Sequence, residues 1–543
     1  MTGPSDGGAD ADREPVVIGG RLRPEDVVAV AREDAPVTVA ESARERVRVS
    51  RERVESVIES GDAVYGINTG FGQLVTERIP ADDLAELQLN LVRSHASGTG
   101  EPLGRAVVRA MLVSRLQALA LGYSGVRETV LDRLVALLNE GVHPVVRSRG
   151  SLGASGDLAP LAHLTLVLVG EGEAHVDGVD GRLSGADALA HAGIEPLDLA
   201  PKEGLALING TQLTAGLGAL AVVDAERLLD AADAAGALVT EVAMGSTVAS
   251  SEIIAGVRPH PGHRVSAVNV RRLAAESEIV ESHRNCDRVQ DAYSLRCLPQ
   301  VHGAARDAVA HLREAVTTEL NSATDNPLIF DANADGVDPH TSQTDSAAVV
   351  SGGNFHGAAL AHRLDYVARA LTDIAAMSER RVDRLLNPSI QEGHLPPFLA
   401  DRSGLESGLM IPQYTAAALV AECRNVGSPA TDSVPVSGGQ EDHVSMSATS
   451  ALALAETLDR VRRVVAIELL CGAEAAEYVD DDLDHGAGTR AVYETVRAVV
   501  DPLDSDRPLD GDIDAIAEQL EHGRLHAQVE TALDGGFVDR DDL

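Results

Sequence analysis

The sequence predicts a mainly α-helical protein, with long helices packed side by side and one small β-hairpin. Three observations carry that expectation. Apolar residues recur at three- and four-residue steps over long stretches, the spacing of a helix face. Hydrophobic residues make up 44% of the chain while aromatics reach only 2% and Trp is absent, so Leu, Val and Ala must build the core. Strict alternation of the kind a hairpin needs is clear in only one short segment. At 543 residues the chain exceeds the roughly 100–200 of a single domain and can bury a large core.

Taken in order, residues 1–15 (MTGPSDGGADADREP) are polar, acidic and rich in Gly and Asp, and are expected to form a disordered tail. Residues 16–210 are expected to form a smaller N-terminal domain, and 211–543 a long helical bundle with C-terminal helices. Between 101 and 140, Leu112, Leu116 and Leu119, then Leu131, Leu134 and Leu138, mark two antiparallel helices with Gly122 and Gly141 as stops. LAHLTLVLVGEG continues helically to Gly170, and EAHVDGVDGRLSG alternates around a VDG turn as a small hairpin. An Ala/Leu-rich series begins at 213–248 and resumes at 300–320, 355–386, 411–425 and 446–478, which implies long helices joined by motif-bearing loops. No fixed-period repeat interrupts it.

Composition narrows the function. No stretch approaches the ~20 apolar residues of a spanning helix, and the first residues do not read as a leader, so a cytoplasmic protein without a membrane partner is expected. Cys286, Cys297, Cys423 and Cys471 are scattered and form no CxxC pair, which fits free thiols. A formal charge of −39 argues against a nucleic-acid partner. Lys202 is the single lysine, and Arg supplies the other cations. Self-repulsion on this scale is relieved when salt shortens the Debye length from about 10 Å at 0.1 M to about 3 Å at 1 M. Adaptation to a salty (halophilic) cytoplasm is the expectation.

The stretch RGSLGASGDLAPLAHL (149–164) holds three minimal side chains in a row, Ala154, Ser155 and Gly156. Its ordinary reading is a glycine-rich turn capping a helix, with Ser155 or Asp157 as N-cap. A second reading is chemical. In a tight turn the Gly156 nitrogen reaches the Ala154 carbonyl carbon and closes a five-membered ring through Ser155, and Gly permits the backbone geometry because it has no Cβ. Loss of water from the ring and from the Ser155 hydroxyl leaves an exocyclic methylene conjugated to an imidazolone. That carbon is a strong electrophile made without an imported cofactor.

GSLGASGDLAPLAHL resembles the signature of the aromatic amino acid ammonia-lyases, whose methylideneimidazolone (MIO, 4-methylideneimidazole-5-one) forms autocatalytically from this tripeptide. Further blocks resemble the same family in the same order, from about residue 16 to DRPLDGDI near the C-terminus. VYGINTGFG (64–72) holds Tyr65, LVRSHASGTG (91–100) His95, and EGLALINGTQ (203–212) Asn209. QDAYSLRCLPQVHG (290–303) holds Gln290, Tyr293 and Arg296; NSATDNPLIF (321–330) follows; SGGNFHG (351–357) holds Phe355, and QEDHVSM (440–446) Gln440 and Glu441. The resemblance implies the long-helix bundle of the fumarase/aspartase-like superfamily, with the ASG loop in the smaller N-terminal domain. It also implies a homotetramer whose active sites combine residues of neighbouring subunits.

Within that family, QEDHVSM and His95 resemble the branch that converts L-histidine to urocanate and ammonia. A polar imidazole needs hydrogen-bonding partners, which His95 and Glu441 would supply; a phenyl ring would leave them unpaired at about 1–3 kcal/mol each. The alternative is a tyrosine or phenylalanine ammonia-lyase or aminomutase, since VSGG before QEDHVSM departs from the histidine branch, and LVRSHASG and MIPQYTAAAL also resemble the others. The methylidene on Ser155 would take the substrate's amine, or alternatively its ring carbon. Tyr65, its phenol lowered from about 10 by helix N-termini, would remove the β-proton, with Glu441 the alternative base. Arg296 would grip the substrate carboxylate with both prongs of its guanidinium. Asn209 and Gln290 would hold the imidazolone carbonyl or that carboxylate, Tyr293 would relay a proton or assist ring closure, Phe355 would pack on the substrate ring, and Gln440 would bind substrate beside Glu441.

Two readings from other classes compete. A metal-dependent hydrolase would use HPGH (260–263) or HGRLH (522–526), but neither carries the acidic third ligand of HExxH; activity surviving EDTA excludes it. A non-catalytic helical scaffold would keep the fold and leave the tripeptide intact, whereas an active chain carries a peptide two waters lighter across 149–164. A fumarase/aspartase-type lyase lacks its GSxxMxxKxN signature here.

Overall fold

A computed structural model describes residues 14–61, 64, 66, 67, 69, 79, 80, 83–284, 286, 289–338 and 341–543. The acidic tail therefore lies outside the described residues up to position 13. Helices dominate, as expected, and the chain forms two units. The first comprises residues 1–220, 313–364 and 428–452; the second comprises 221–312, 365–427 and 453–543. Apart from the division at 427, the boundaries fall inside the long helices Gln212–Val242, Leu298–Leu320, Ala358–Leu386 and Ser447–Ala476. These helices match the Ala/Leu-rich series, and Met410–Asn425 supplies its remaining member.

In the first unit, the leucine pattern forms helices Arg105–Ala120 and Glu128–Asn139, which pack on each other. Leu112, Leu116, Leu119, Leu131, Leu134 and Leu138 are all buried. Gly122 and Gly141 follow at φ +82° and +65°, the left-handed turn that ends a helix. The run after the ASG stretch is helix Leu158–Leu168. The expected hairpin pairs Glu173–Val176 with Leu183–Ser184, Glu173 opposite Ser184. Val142–Pro144 adds a third strand to its other edge.

Among the described residues, three further sheets carry too little alternation to be legible from sequence, because their strands are only two to four residues long. Val16–Ile18 pairs in parallel with Val37–Val39, and Thr99–Pro102 is antiparallel to Arg147–Arg149. Ala347–Val350 lies between Leu328–Asp331 and Ser342–Gln343, and Ile329, Ala347 and Val349 pack on Val54 and Val57 of helix Glu41–Ser60. Helices Leu84–His95, Leu158–Leu168 and Glu203–Ile208 contact one another, which brings His95, the ASG loop and Asn209 together.

The second unit packs Ala487–Arg497 against Pro261–Leu273 and Arg524–Ala532. Its core also holds paired charges. Asp233 accepts from His302 Nδ1 at 2.8 Å and Arg306 Nη2 at 2.6 Å, while Arg381 is bound to Glu468 through both prongs. Burial alone would raise the Asp233 pKa, yet Arg306 and His302 hold it down to about 2. Among the described residues no helix is long and apolar enough to cross a membrane, and the four cysteines are free thiols.

Candidate active site

The Ala154-Ser155-Gly156 tripeptide lies between strand Arg147–Arg149 and helix Leu158–Leu168, and both of its flanks are pinned. Gly156 has φ +77°, and a Cβ there would stand 2.2 Å from the Gly210 carbonyl oxygen, so glycine alone fits. The Asp157 amide donates to that same oxygen at 2.6 Å. On the other flank a Cβ on Gly153 would stand 2.2 Å from Ser445 Oγ. Ser445 Oγ donates to the Gly153 carbonyl at 3.0 Å, and the Met446 amide to the Leu152 carbonyl at 2.8 Å.

Asp157 is buried completely and shows why the turn is rigid. Its carboxylate accepts from Ser151 Oγ at 2.8 Å and from the Thr214 amide at 2.9 Å. Thr214 lies in the first turn of Gln212–Val242, where a carboxylate satisfies amides that have no partner within the helix. Burial pushes the Asp157 pKa up, and these hydrogen bonds oppose it. From sequence, Asp157 is a candidate N-cap of its own helix. Its spacing from Thr214 offered no signal for this long-range role.

Ser155 is the point of convergence. Its Oγ donates to Glu441 Oε1 at 2.5 Å, and Ser437 Oγ donates to Glu441 Oε2 at 3.1 Å. Asn209 Nδ2 donates to the Ser155 carbonyl oxygen at 2.7 Å. Among the described residues, Asn209 Oδ1 is buried with no partner, and the Gly156 amide donates no hydrogen bond. Ring closure needs the Gly156 nitrogen free to attack the Ala154 carbonyl carbon, and dehydration needs the Ser155 hydroxyl held where it can depart; here the nitrogen is free, its acyl oxygen on Ser155 is held by Asn209, and the hydroxyl lies on a carboxylate. The residues present therefore fit the MIO group.

A cavity of about 810 Å³ opens beside Ser155. It is lined by Ala154, His95, Asn209, Phe355, Gln440 and Glu441, so six of the expected residues join Ser155 around one space. The volume suits a small ligand. His95 Nδ1 lies 2.8 Å from the Leu91 carbonyl; because a carbonyl only accepts, Nδ1 carries a proton, and Nε2 is left to bond elsewhere. The rings of His356 and His443 also line the cavity, stacked 5.8 Å apart and 8° from parallel. Neither was singled out from sequence, although both stand in the quoted blocks next to Phe355 and Glu441.

The remaining expected residues lie elsewhere. Gln290, Tyr293 and Arg296 belong to the second unit. Arg296 Nη1 donates to Gln290 Oε1, both line a separate cavity of about 440 Å³, and Tyr293 is 73% exposed. Tyr65 lies outside the described residues. One histidine of each pair that could hold a metal is engaged in a hydrogen bond, His263 Nδ1 with the Arg258 carbonyl at 3.1 Å and His526 Nε2 with Asp230 Oδ2 at 2.9 Å.

Behind Asn209 lies a buried polar layer that sequence patterning did not reveal. Lys202, the single lysine, pairs with Asp325 at 2.9 Å, their side chains 0% and 2% exposed. Arg115, equally buried, donates through Nη1 to Gln212 Oε1 at 2.7 Å and through Nη2 to the Asn209 carbonyl at 2.8 Å, and also to the Ala206 carbonyl. Arg115 sits in a leucine-patterned helix, where an arginine reads as a solvent-facing residue.

The chain is similar to known proteins along nearly its whole length. A probable histidine ammonia-lyase of Halobacterium salinarum is 60% identical over 522 residues, covering 96% of this chain and 99% of the relative. The crystal structure of histidine ammonia-lyase from Trypanosoma cruzi superposes with a TM-score of 0.86 at 37% identity, covering 96% of each chain. That of tyrosine aminomutase from Streptomyces globisporus superposes with a TM-score of 0.89 at 37% identity, covering 97% of this chain and 100% of that one. The family model for aromatic amino acid lyases matches residues 22–498, and the chain belongs to that family.

Proposed function

We propose that this chain is a histidine ammonia-lyase, which converts L-histidine to trans-urocanate and ammonia without oxidation or hydrolysis, the first step of histidine degradation. The observation that carries the reading is the setting of Ser155: its hydroxyl lies on Glu441 and its carbonyl on Asn209, at the wall of a cavity that also holds His95. The name carried by a relative at 60% identity supports the substrate. MIO formed from Ala154-Ser155-Gly156 would supply the electrophilic carbon that turns the amine into a competent leaving group, and no external cofactor is required.

The chain's own side chains do the rest. Glu441 and the Nε2 of His95 offer acceptors to an imidazole N–H; an apolar ring would strand both. Asn209 holds the Ser155 carbonyl in place and polarises it. Phe355 packs on the substrate ring, and Gln440 binds beside it. Glu441, bonded through Oε1 to the Ser155 hydroxyl, is positioned to pass the proton lost by the Ser155 Cα on to Oγ as that group departs as water. Tyr65 removes the substrate's β-proton, with Glu441 the alternative.

Gln290, Tyr293 and Arg296 serve the carboxylate and the proton relay from a neighbouring copy, in a homotetramer with shared sites and closed symmetry. The enzyme works in a salty cytoplasm. The deciding experiment incubates purified protein in high salt with L-histidine and follows absorbance in the urocanate band, with L-tyrosine and L-phenylalanine in parallel. A rise with histidine alone supports the assignment; a rise with tyrosine alone moves it to the tyrosine branch.

A further inference from the structure

Arg115 is a cation held completely inside the first unit, and among the described residues no ion pair reaches it. Its partners are neutral: Gln212 Oε1 and the carbonyls of Asn209 and Ala206, with Nε left unpartnered. The carboxylate whose field it feels, Asp325, is already bound to Lys202. Burial lowers the Arg115 pKa to about 10, so the guanidinium remains charged at neutral pH. Leaving an uncompensated charge in a low-dielectric interior is costly, and a purely structural fork would be served by a neutral donor. The charge stands one residue behind the tripeptide: Arg115 Nη2 donates to the Asn209 carbonyl at 2.8 Å, and Asn209 Nδ2 donates to the Ser155 carbonyl at 2.7 Å.

Ring closure places negative charge at the end of that chain. When the Gly156 N–H gives its proton to water, the electron pair delocalises from nitrogen onto the Ser155 carbonyl oxygen, the acceptor of Asn209. The nitrogen then bonds to the Ala154 carbonyl carbon. The Ala154 oxygen leaves with the amide hydrogens of Ser155 and Gly156 as one water, and Ser155 Oγ leaves with its Cα hydrogen as the second. No oxidant or reductant is consumed. We infer that Arg115 is a positioning residue for this self-processing, acting through Asn209 to stabilise charge on the Ser155 oxygen as the Gly156 nitrogen closes the ring. A fixed cation in a dry interior needs no reorganisation when that charge appears.

The inference rests on the ring-forming reading above, and one experiment separates the two. Full-length chain is synthesised cell-free in high salt and sampled over time, and the tryptic peptide 150–182, bounded by Arg149 and Arg182, is weighed. In the parent it becomes two waters lighter. Gln212→Glu keeps the acceptor for Arg115 Nη1 and lets Thr324 Oγ1, 2.8 Å from the Gln212 amide, donate instead. It compensates the charge of the guanidinium by giving it an ion-pair partner. The expected result is dehydration slower by on the order of tenfold to a hundredfold with an unchanged or higher melting temperature. Arg115→Met, with its fold checked by circular dichroism, slows at least as much, and Arg115→Lys restores part of the rate. Dehydration of Gln212→Glu at the parent rate overturns the inference. A parent peptide of full mass overturns the ring-forming reading and this inference with it.

Discussion

Replacing Gly156 by Ala tests the site and the backbone together. At φ +77° a residue with a Cβ pays about 1–2 kcal/mol for the left-handed conformation alone. The new Cβ would also stand 2.2 Å from the Gly210 oxygen, where ordinary contact begins at 3.4 Å. Gly210 would have to retreat by about 1 Å in a close-packed interior. It is not free to do so, because Asp157 N binds it at 2.6 Å and its neighbour Asn209 is held by Arg115. Losing the Asp157–Gly210 bond in a buried setting adds about 1–3 kcal/mol. Gly156→Ala is therefore expected to cost about 2–5 kcal/mol and to draw Asn209 away from the Ser155 carbonyl. Gly181→Ala is the control: φ is +84°, but nothing lies within 4 Å of the added Cβ, so only the conformational cost of about 1–2 kcal/mol applies. The assay is urea unfolding of both variants in high salt, together with the mass of peptide 150–182. Equal destabilisation of the two variants, or a fully dehydrated peptide from Gly156→Ala, would refute the reasoning.

Other outcomes follow from the same structure. Ser155→Ala should abolish urocanate formation while leaving the circular dichroism spectrum unchanged, and Glu441→Gln should lower turnover by about 10²-fold or more. Lys202→Met strands Asp325 without its partner and should cost about 3–5 kcal/mol in urea unfolding; adding Asp325→Asn should recover more than half of it. His143 is held to a pKa of about 4 by burial and by the Arg105 and Arg109 guanidinia, against the opposing pull of Asp177. Its ordinary value is 6.5, so the unfolded chain binds the extra proton between those pH values. Stability should be complete above about pH 6.5 and decline as pH falls toward 4, a slope that urea midpoints should show reduced in His143→Gln. Dialysis from about 2 M salt to below 0.1 M should reduce helical ellipticity, because 39 net negative charges are then screened over about 10 Å rather than about 2–3 Å.

Much was legible in the sequence because it is written locally. The leucine spacing at 131–138 determined which helix face is buried, since side chains three and four residues apart share one face, whereas at 112–119 it located a helix whose residues 108–120 are buried on every side. Glycines after each run determined where helices stop, and the alternation in 173–184 determined a hairpin. The contiguous blocks around Ser155, His95, Asn209, Phe355 and Glu441 determined which residues to look for. Tertiary structure decided what depends on distance between segments. Residues 313–364 and 428–452 join residues 1–220 in one unit because long helices carry the chain away and back, which no local pattern encodes. The same holds for Asp157 capping a helix that begins 55 positions later at Gln212, and for Arg115 lying buried behind Asn209. A hydrophobic period reports only that a side chain faces inward; which polar group waits there is set by packing between elements far apart along the chain.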